Sequence, residues 1–117
     1  MNIEQFREYC LNKKMVTESF PFDKVTLVFK VAGKIFTIAP LERLPPQVNL
    51  KCDPERAIEL REEYDGVIIP GYHMNKEHWN TVLIEQLPEN MIKGLVDDSY
   101  DLIVKGLPKN LRSELGG

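Results

Sequence analysis

Residues 72–79, Tyr-His-Met-Asn-Lys-Glu-His-Trp, bring both histidines of the chain, a lysine and its single tryptophan into one short run. His73 and His78 offer acid–base chemistry near neutral pH, or neutral nitrogen ligands for a metal. Lys76 offers a cation for a phosphate, with Tyr72 and Asn75 as hydrogen-bond donors beside it. Trp79 offers a face on which a base can stack, or a plug for a sheet edge. A metal would need a third and a fourth donor and a partner for each ring. Glu77 lies between the histidines with no helical phasing to make the three converge. The ordinary reading of the pair is a turn histidine bonded to backbone and a second one at a strand start, so no metal and no cofactor is expected.

Other chemistry is hard to find. There is no Gly-x-Ser-x-Gly, no glycine-rich phosphate cradle and no Cys-x-x-Cys, and the seven glycines are scattered. Glu62-Glu63 and Asp97-Asp98 are adjacent carboxylates, but neighbours on a helix point in different directions and read as solvated surface. Cys10 and Cys52 fall at apolar-facing positions and read as small core residues in a reducing compartment. The chain is therefore expected to be non-enzymatic.

The elements that must position the polar run follow from periodicity. Asn2 with Gln5 makes a capping box, and Ile3, Phe6, Tyr9 and Cys10 recur at helical spacing, predicting a helix to Lys13-Lys14. Thr17 to Phe22, interrupted by Pro21, reads as a packed turn. Val25 to Val31 alternates with period two, Ala32-Gly33 makes a tight turn, and Ile35 to Ala39 returns. Val48, Leu50 and Cys52 alternate with Gln47, Asn49 and Lys51, predicting a third strand after the Leu44-Pro45-Pro46 break. Asp53-Pro54 starts a helix that Asp65-Gly66 stops. Val67-Ile68-Ile69 and Trp79 to Ile84 are strands on either side of the His-Trp run. Pro88 opens a last helix, with Met91, Ile92, Leu95, Val96, Ser99, Leu102 and Ile103 as its apolar stripe, and Gly106 is expected at its C′ position. Asn110 to Gly117 is left as a short turn or a frayed tail.

The order helix, three strands, helix, two strands, helix predicts an α+β two-layer sandwich: one domain over residues 1–117, with an antiparallel sheet covered on one face. Neither a signal peptide nor a membrane span is visible, so a cytoplasmic location is expected. The net charge of −3 argues against a strong nucleic-acid binder. Its distribution is uneven, however. Residues 24–51 carry Lys24, Lys30, Lys34, Arg43 and Lys51 against Glu42 alone, a local balance of +4, whereas residues 53–65 balance at −4. A basic sheet beside an acidic helix would present a polarised surface.

Phe20-Pro21-Phe22, Gly33-Lys34-Ile35-Phe36, the Asn49–Glu55 stretch and, above all, Pro70-Gly71-Tyr72-His73-Met74-Asn75-Lys76 with His78-Trp79 resemble the MmcQ/YjbR family of small bacterial proteins over nearly the whole chain. The resemblance implies a frataxin/CyaY-like fold and binding to double-stranded DNA through a double-wing arrangement of hairpins. Carried onto this sequence, it implies Lys30, Lys34, Lys51, His73, Asn75 and Lys76 as DNA-binding residues. An iron-binding acidic ridge of frataxin type is not visible, because Arg7 stands between Glu4 and Glu8. Isolated bases rather than an arginine-rich cluster imply weak, salt-sensitive and largely non-specific contact with duplex. The alternative is a small-molecule or protein-binding groove lined by Tyr72, His73, Lys76 and Trp79.

Overall fold

The computed structural model describes residues 1–71 and 74–116. Among these residues ten elements follow one another: α1 (Ile3–Leu11), β1 (Val16–Ser19), β2 (Thr26–Val31), β3 (Lys34–Pro40), β4 (Gln47–Lys51), α2 (Pro54–Glu63), β5 (Ile68–Pro70), β6 (Trp79–Leu83), α3 (Glu89–Lys105) and α4 (Lys109–Glu114). The strands form one antiparallel sheet in the order β1-β2-β3-β4-β6-β5. The α+β layering expected from the sequence is present. No described helix is long and apolar enough to cross a membrane.

Side-chain alternation divides the sheet into two unlike faces. Leu27, Phe29, Val31, Val48, Leu50 and Val82 point to the helices, where they join Phe6 and Cys10 of α1, Ala57 and Leu60 of α2, and Ile92 and Val96 of α3 in one buried cluster. The intervening residues face away from the helices. Buried Asn80 belongs to the helix side, donating to the Ala57 carbonyl at 3.3 Å. Both cysteines are buried thiols, as their positions in the periodic pattern required.

Four local departures from expectation have identifiable causes. Helix α1 ends at Leu11, and Lys13 turns inward to Asp97 at 2.6 Å, lying over the rings of Tyr9 and Tyr100, instead of serving the helix dipole. Val16–Ser19 is a strand rather than part of a turn. It is an edge strand whose Glu18 accepts from Arg7 Nε at 2.7 Å, a contact no local pattern signals. Gly106 has φ −85°, so α3 ends in right-handed geometry without the expected C′ glycine, and Pro108 opens α4. Finally, the register shifts between Phe29 and Lys30, leaving Phe36 as an extra residue on β3.

That bulge is tied to α3. The Ser99 hydroxyl donates to the Phe36 carbonyl at 2.6 Å and accepts from the Lys51 amide at 2.9 Å. One buried serine thus fixes the bulge and the end of β4 together. The expected turn at Ala32-Gly33 is also present. Both residues have positive φ, 47° and 83°, as a two-residue turn of type I′ requires.

Candidate functional site

The Pro70–Trp79 run closes the end of the sheet. Gly71 donates to the Trp79 carbonyl at 3.0 Å, and the Asn75 carbonyl accepts from the His78 and Trp79 amides at 3.2 and 2.9 Å. The Asn75 side chain accepts from the Glu77 amide at 2.9 Å, and Arg61 of α2 donates to the Lys76 carbonyl at 3.1 Å. The His78 carbonyl accepts from the Cys52 amide at 2.7 Å, stitching the run to the end of β4. Much of the polarity in this run is therefore spent on its own turn. Tyr72 and His73, both expected in a site, lie outside the described residues. Among the described residues no group of three metal-ligating side chains comes together.

The open face of the sheet collects the other candidates. Lys30 follows Phe29 and Lys51 follows Leu50, two core residues, so both lysines project from the side away from the helices. Only β3 separates their strands, which puts them roughly 10 Å apart at the ~4.8 Å strand spacing. Lys34 does not share this face. Its ladder partner is Val31, a helix-facing residue, so its register position is on the opposite side at the hairpin end. Trp79 pairs with Lys51 on the open face and is half-buried there. Asn75 and Lys76 are exposed in the turn beyond it.

The charge of this face is one-signed. Glu18 is the sole acid in any strand among the described residues, and it faces α1 through its ion pair with Arg7. That guanidinium bond holds the Glu18 carboxyl below its ordinary range. No ion pair among the described residues engages Lys24, Lys30, Lys34, Arg43 or Lys51. The ion pairs present take their bases from α1 and the turn after it, α2 and α3. Apart from Glu18, the acids among the described residues are thus carried by helices and loops, and the charged strand residues of the open face, Lys30 and Lys51, are cations.

Beside the lysines lies a cavity of about 280 Å³. Its floor is Ile38, Asn49 and Thr81, direct ladder partners across three strands, and Gln47 continues the same face of β4. Phe22 and Arg43 come from the loops before β2 and after β3, and Met74 is the contribution of the motif run. The Thr81 hydroxyl donates to Asn49 Oδ1 at 2.6 Å, and Gln47 Nε2 donates to the Pro45 carbonyl at 3.1 Å. Asp23 positions the Phe22 loop by accepting from the amides of Val25 and Thr26, bonds that hold its carboxyl low. Of the groove expected at Tyr72, His73, Lys76 and Trp79, the first two residues lie outside the described ones; the cavity that the described residues line is centred on β3, β4 and β6. The signal for it was the polar alternation Gln47-Asn49-Lys51. Phe22 and Arg43, both in loops, had no periodic signal at all.

A model of the YjbR family matches residues 11–102, which include the open face, the cavity floor and the motif run. The chain belongs to the YjbR family. Among its YjbR relatives, Escherichia coli O157:H7 YbdF is 38% identical over 107 residues, covering 91% of this chain and 87% of that protein. Escherichia coli K12 YjbR is 35% identical over 116 residues, 98% of each chain. The crystal structure of Deinococcus radiodurans DR2400 superimposes with a TM-score of 0.90 at 39% identity, covering 98% of this chain and 88% of that one. A Pseudomonas syringae protein gives a TM-score of 0.74 at 32% identity, covering 87% and 98%.

Proposed function

We propose that this YjbR-family protein is a non-enzymatic, cytoplasmic DNA-binding protein with a frataxin/CyaY-like fold that contacts the duplex backbone through the open face of its sheet. The observation that carries this reading is a strand surface bearing Lys30 and Lys51, with no ion pair on either among the described residues, on a chain of net charge −3. Selective removal of acids from one face concentrates positive potential where a polyanion can approach. Few cations imply weak binding that is dominated by phosphate contacts and largely indifferent to sequence. The β2–β3 hairpin, with Lys30 on its open side, is the wing that these contacts would use.

The test is duplex affinity against salt for Lys30→Ala and Lys51→Ala, with Lys34→Ala as a control of equal charge on the other side. Each open-face variant is expected to lower the slope of log affinity against log salt by about 1. Equal loss in all three variants would reduce the effect to net charge, and no loss in any would refute the proposal. A second reading, a small-molecule site, is favoured by the cavity beside the lysines. A metabolite that raises the melting temperature while duplex does not bind would support it.

A further inference from the structure

We infer that the cavity on the open face accepts the base of an unpaired nucleotide, with Phe22 as its stacking surface, Gln47 and Asn49 reading its polar edge, and Arg43 and Lys51 holding the flanking phosphates. The inference rests on the proposed nucleic-acid face and names what that face recognises.

Size is the first ground. At about 280 Å³ the cavity falls just below the range of about 300–1,000 Å³ typical of drug-sized ligands, so its size admits one small group such as a base. Unspent hydrogen-bonding capacity is the second. Asn49 Oδ1 is taken by Thr81 and Gln47 Nε2 by the Pro45 carbonyl, while Asn49 Nδ2 and Gln47 Oε1 have no partner among the described residues. One donor and one acceptor therefore project from the same face of β4, their Cα atoms roughly 7 Å apart by strand rise. A base edge presents the complementary pair. Exposure of the stacking partner is the third. Phe22 lines the cavity yet is 64% exposed, an aromatic held at a mouth rather than packed in a core. Stacking on such a side chain contributes to single-strand binding without regard to sequence.

Charge complementarity completes the case. On β4 the acceptor, the donor and a cation stand at Gln47, Asn49 and Lys51, successive positions on one face, and Arg43 lies on the cavity's lining. A nucleotide chain has this same alternation of polar edge and anion. Duplex DNA keeps its bases stacked and paired, so it can use the lysines but not the cavity.

The experiment uses a fluorescent-labelled 12-nucleotide single strand, a blunt duplex of the same length, and the free nucleoside monophosphates, each titrated with the full chain and with Phe22→Ala, Asn49→Asp and Lys30→Ala/Lys51→Ala. The single strand is expected to bind about tenfold tighter than the duplex. Phe22→Ala is expected to weaken the single strand about tenfold and leave the duplex unchanged. Phe22 contributes nothing to the core, and Asn49→Asp keeps the acceptor for Thr81, so both variants test the cavity without unfolding the protein. Asn49→Asp is expected to change which monophosphate or strand composition binds best. Monophosphate binding that depends on Phe22, with no strand binding, would identify free nucleotides as the source and still support the cavity's role. It would also remove the DNA-binding reading. Duplex binding lost with the lysines but untouched by Phe22→Ala and Asn49→Asp, with no preference for single strands, would overturn the inference and leave the proposed function standing.

Discussion

The Gly71 amide donates to the Trp79 carbonyl at 3.0 Å across the base of the motif run, and the two backbones approach so closely that a Cβ on Gly71 would meet Trp79 O at 3.1 Å and Trp79 Cβ at 3.2 Å. The glycine suits this position by proximity, not by an unusual backbone angle. Trp79 in turn pairs with Lys51, so the closure of the run fixes one border of the open face.

Gly71→Ala is accordingly expected to destabilise the protein by about 1–3 kcal/mol, the usual cost of overpacking a tight contact. Urea denaturation measures it. A change within error would mean that the β5–β6 connection yields without cost.

Ser99→Ala removes one hydroxyl that serves two backbone groups, the Phe36 carbonyl and the Lys51 amide. An expected loss of about 2 kcal/mol follows from leaving buried polar groups unpaired. Amide exchange at Lys51 should accelerate in the variant. Unaltered exchange would show that the β4 end is held by other means.

Burial pushes the Cys10 thiol up to about 12 from its ordinary 9.0. Below pH 9.0 both folded and unfolded chains keep this proton. Between 9.0 and about 12 the unfolded chain has released it while the folded chain retains it, so stability falls as pH rises through this window. Cys10→Ala should show a shallower decline on the alkaline side, measured as the difference between the two stability–pH curves. Parallel curves would contradict the burial of the thiol.

The open-face lysines set the salt response. Lys30→Ala/Lys51→Ala is expected to lower the duplex-binding salt slope by about 2, each lysine having replaced about one counterion. Thermal unfolding should be unaffected, because neither lysine makes an ion pair among the described residues.

Residues whose surroundings are local or periodic were legible from the chain itself. The capping box of Asn2 and Gln5 forms as the residue types require, with bonds of 2.8 and 3.0 Å. The alternation of Val48 and Leu50 with Gln47, Asn49 and Lys51 correctly divided β4 into a core side and a polar side. Strand β1 was not legible, because Val16–Ser19 has no apolar repeat of its own and depends on the β2 ladder and on Arg7. The family resemblance groups Lys34 with Lys30 as flanks of one hairpin, whereas ladder register puts them on different sides. The cavity was half legible. Its floor follows from strand alternation, but Phe22, Arg43 and Met74 arrive from three loops whose convergence is a property of the tertiary fold.

The most direct test of the open face as the binding surface is a two-dimensional NMR titration of labelled protein with a short generic duplex, at about 50 and 200 mM salt, where counterion release separates phosphate contacts from others. Shifts are expected to concentrate at Lys30 and Lys51 and to shrink at the higher salt, with the outer surfaces of α2 and α3 unmoved. Shifts centred on the helices, or none at either salt, would contradict the open face as the binding surface.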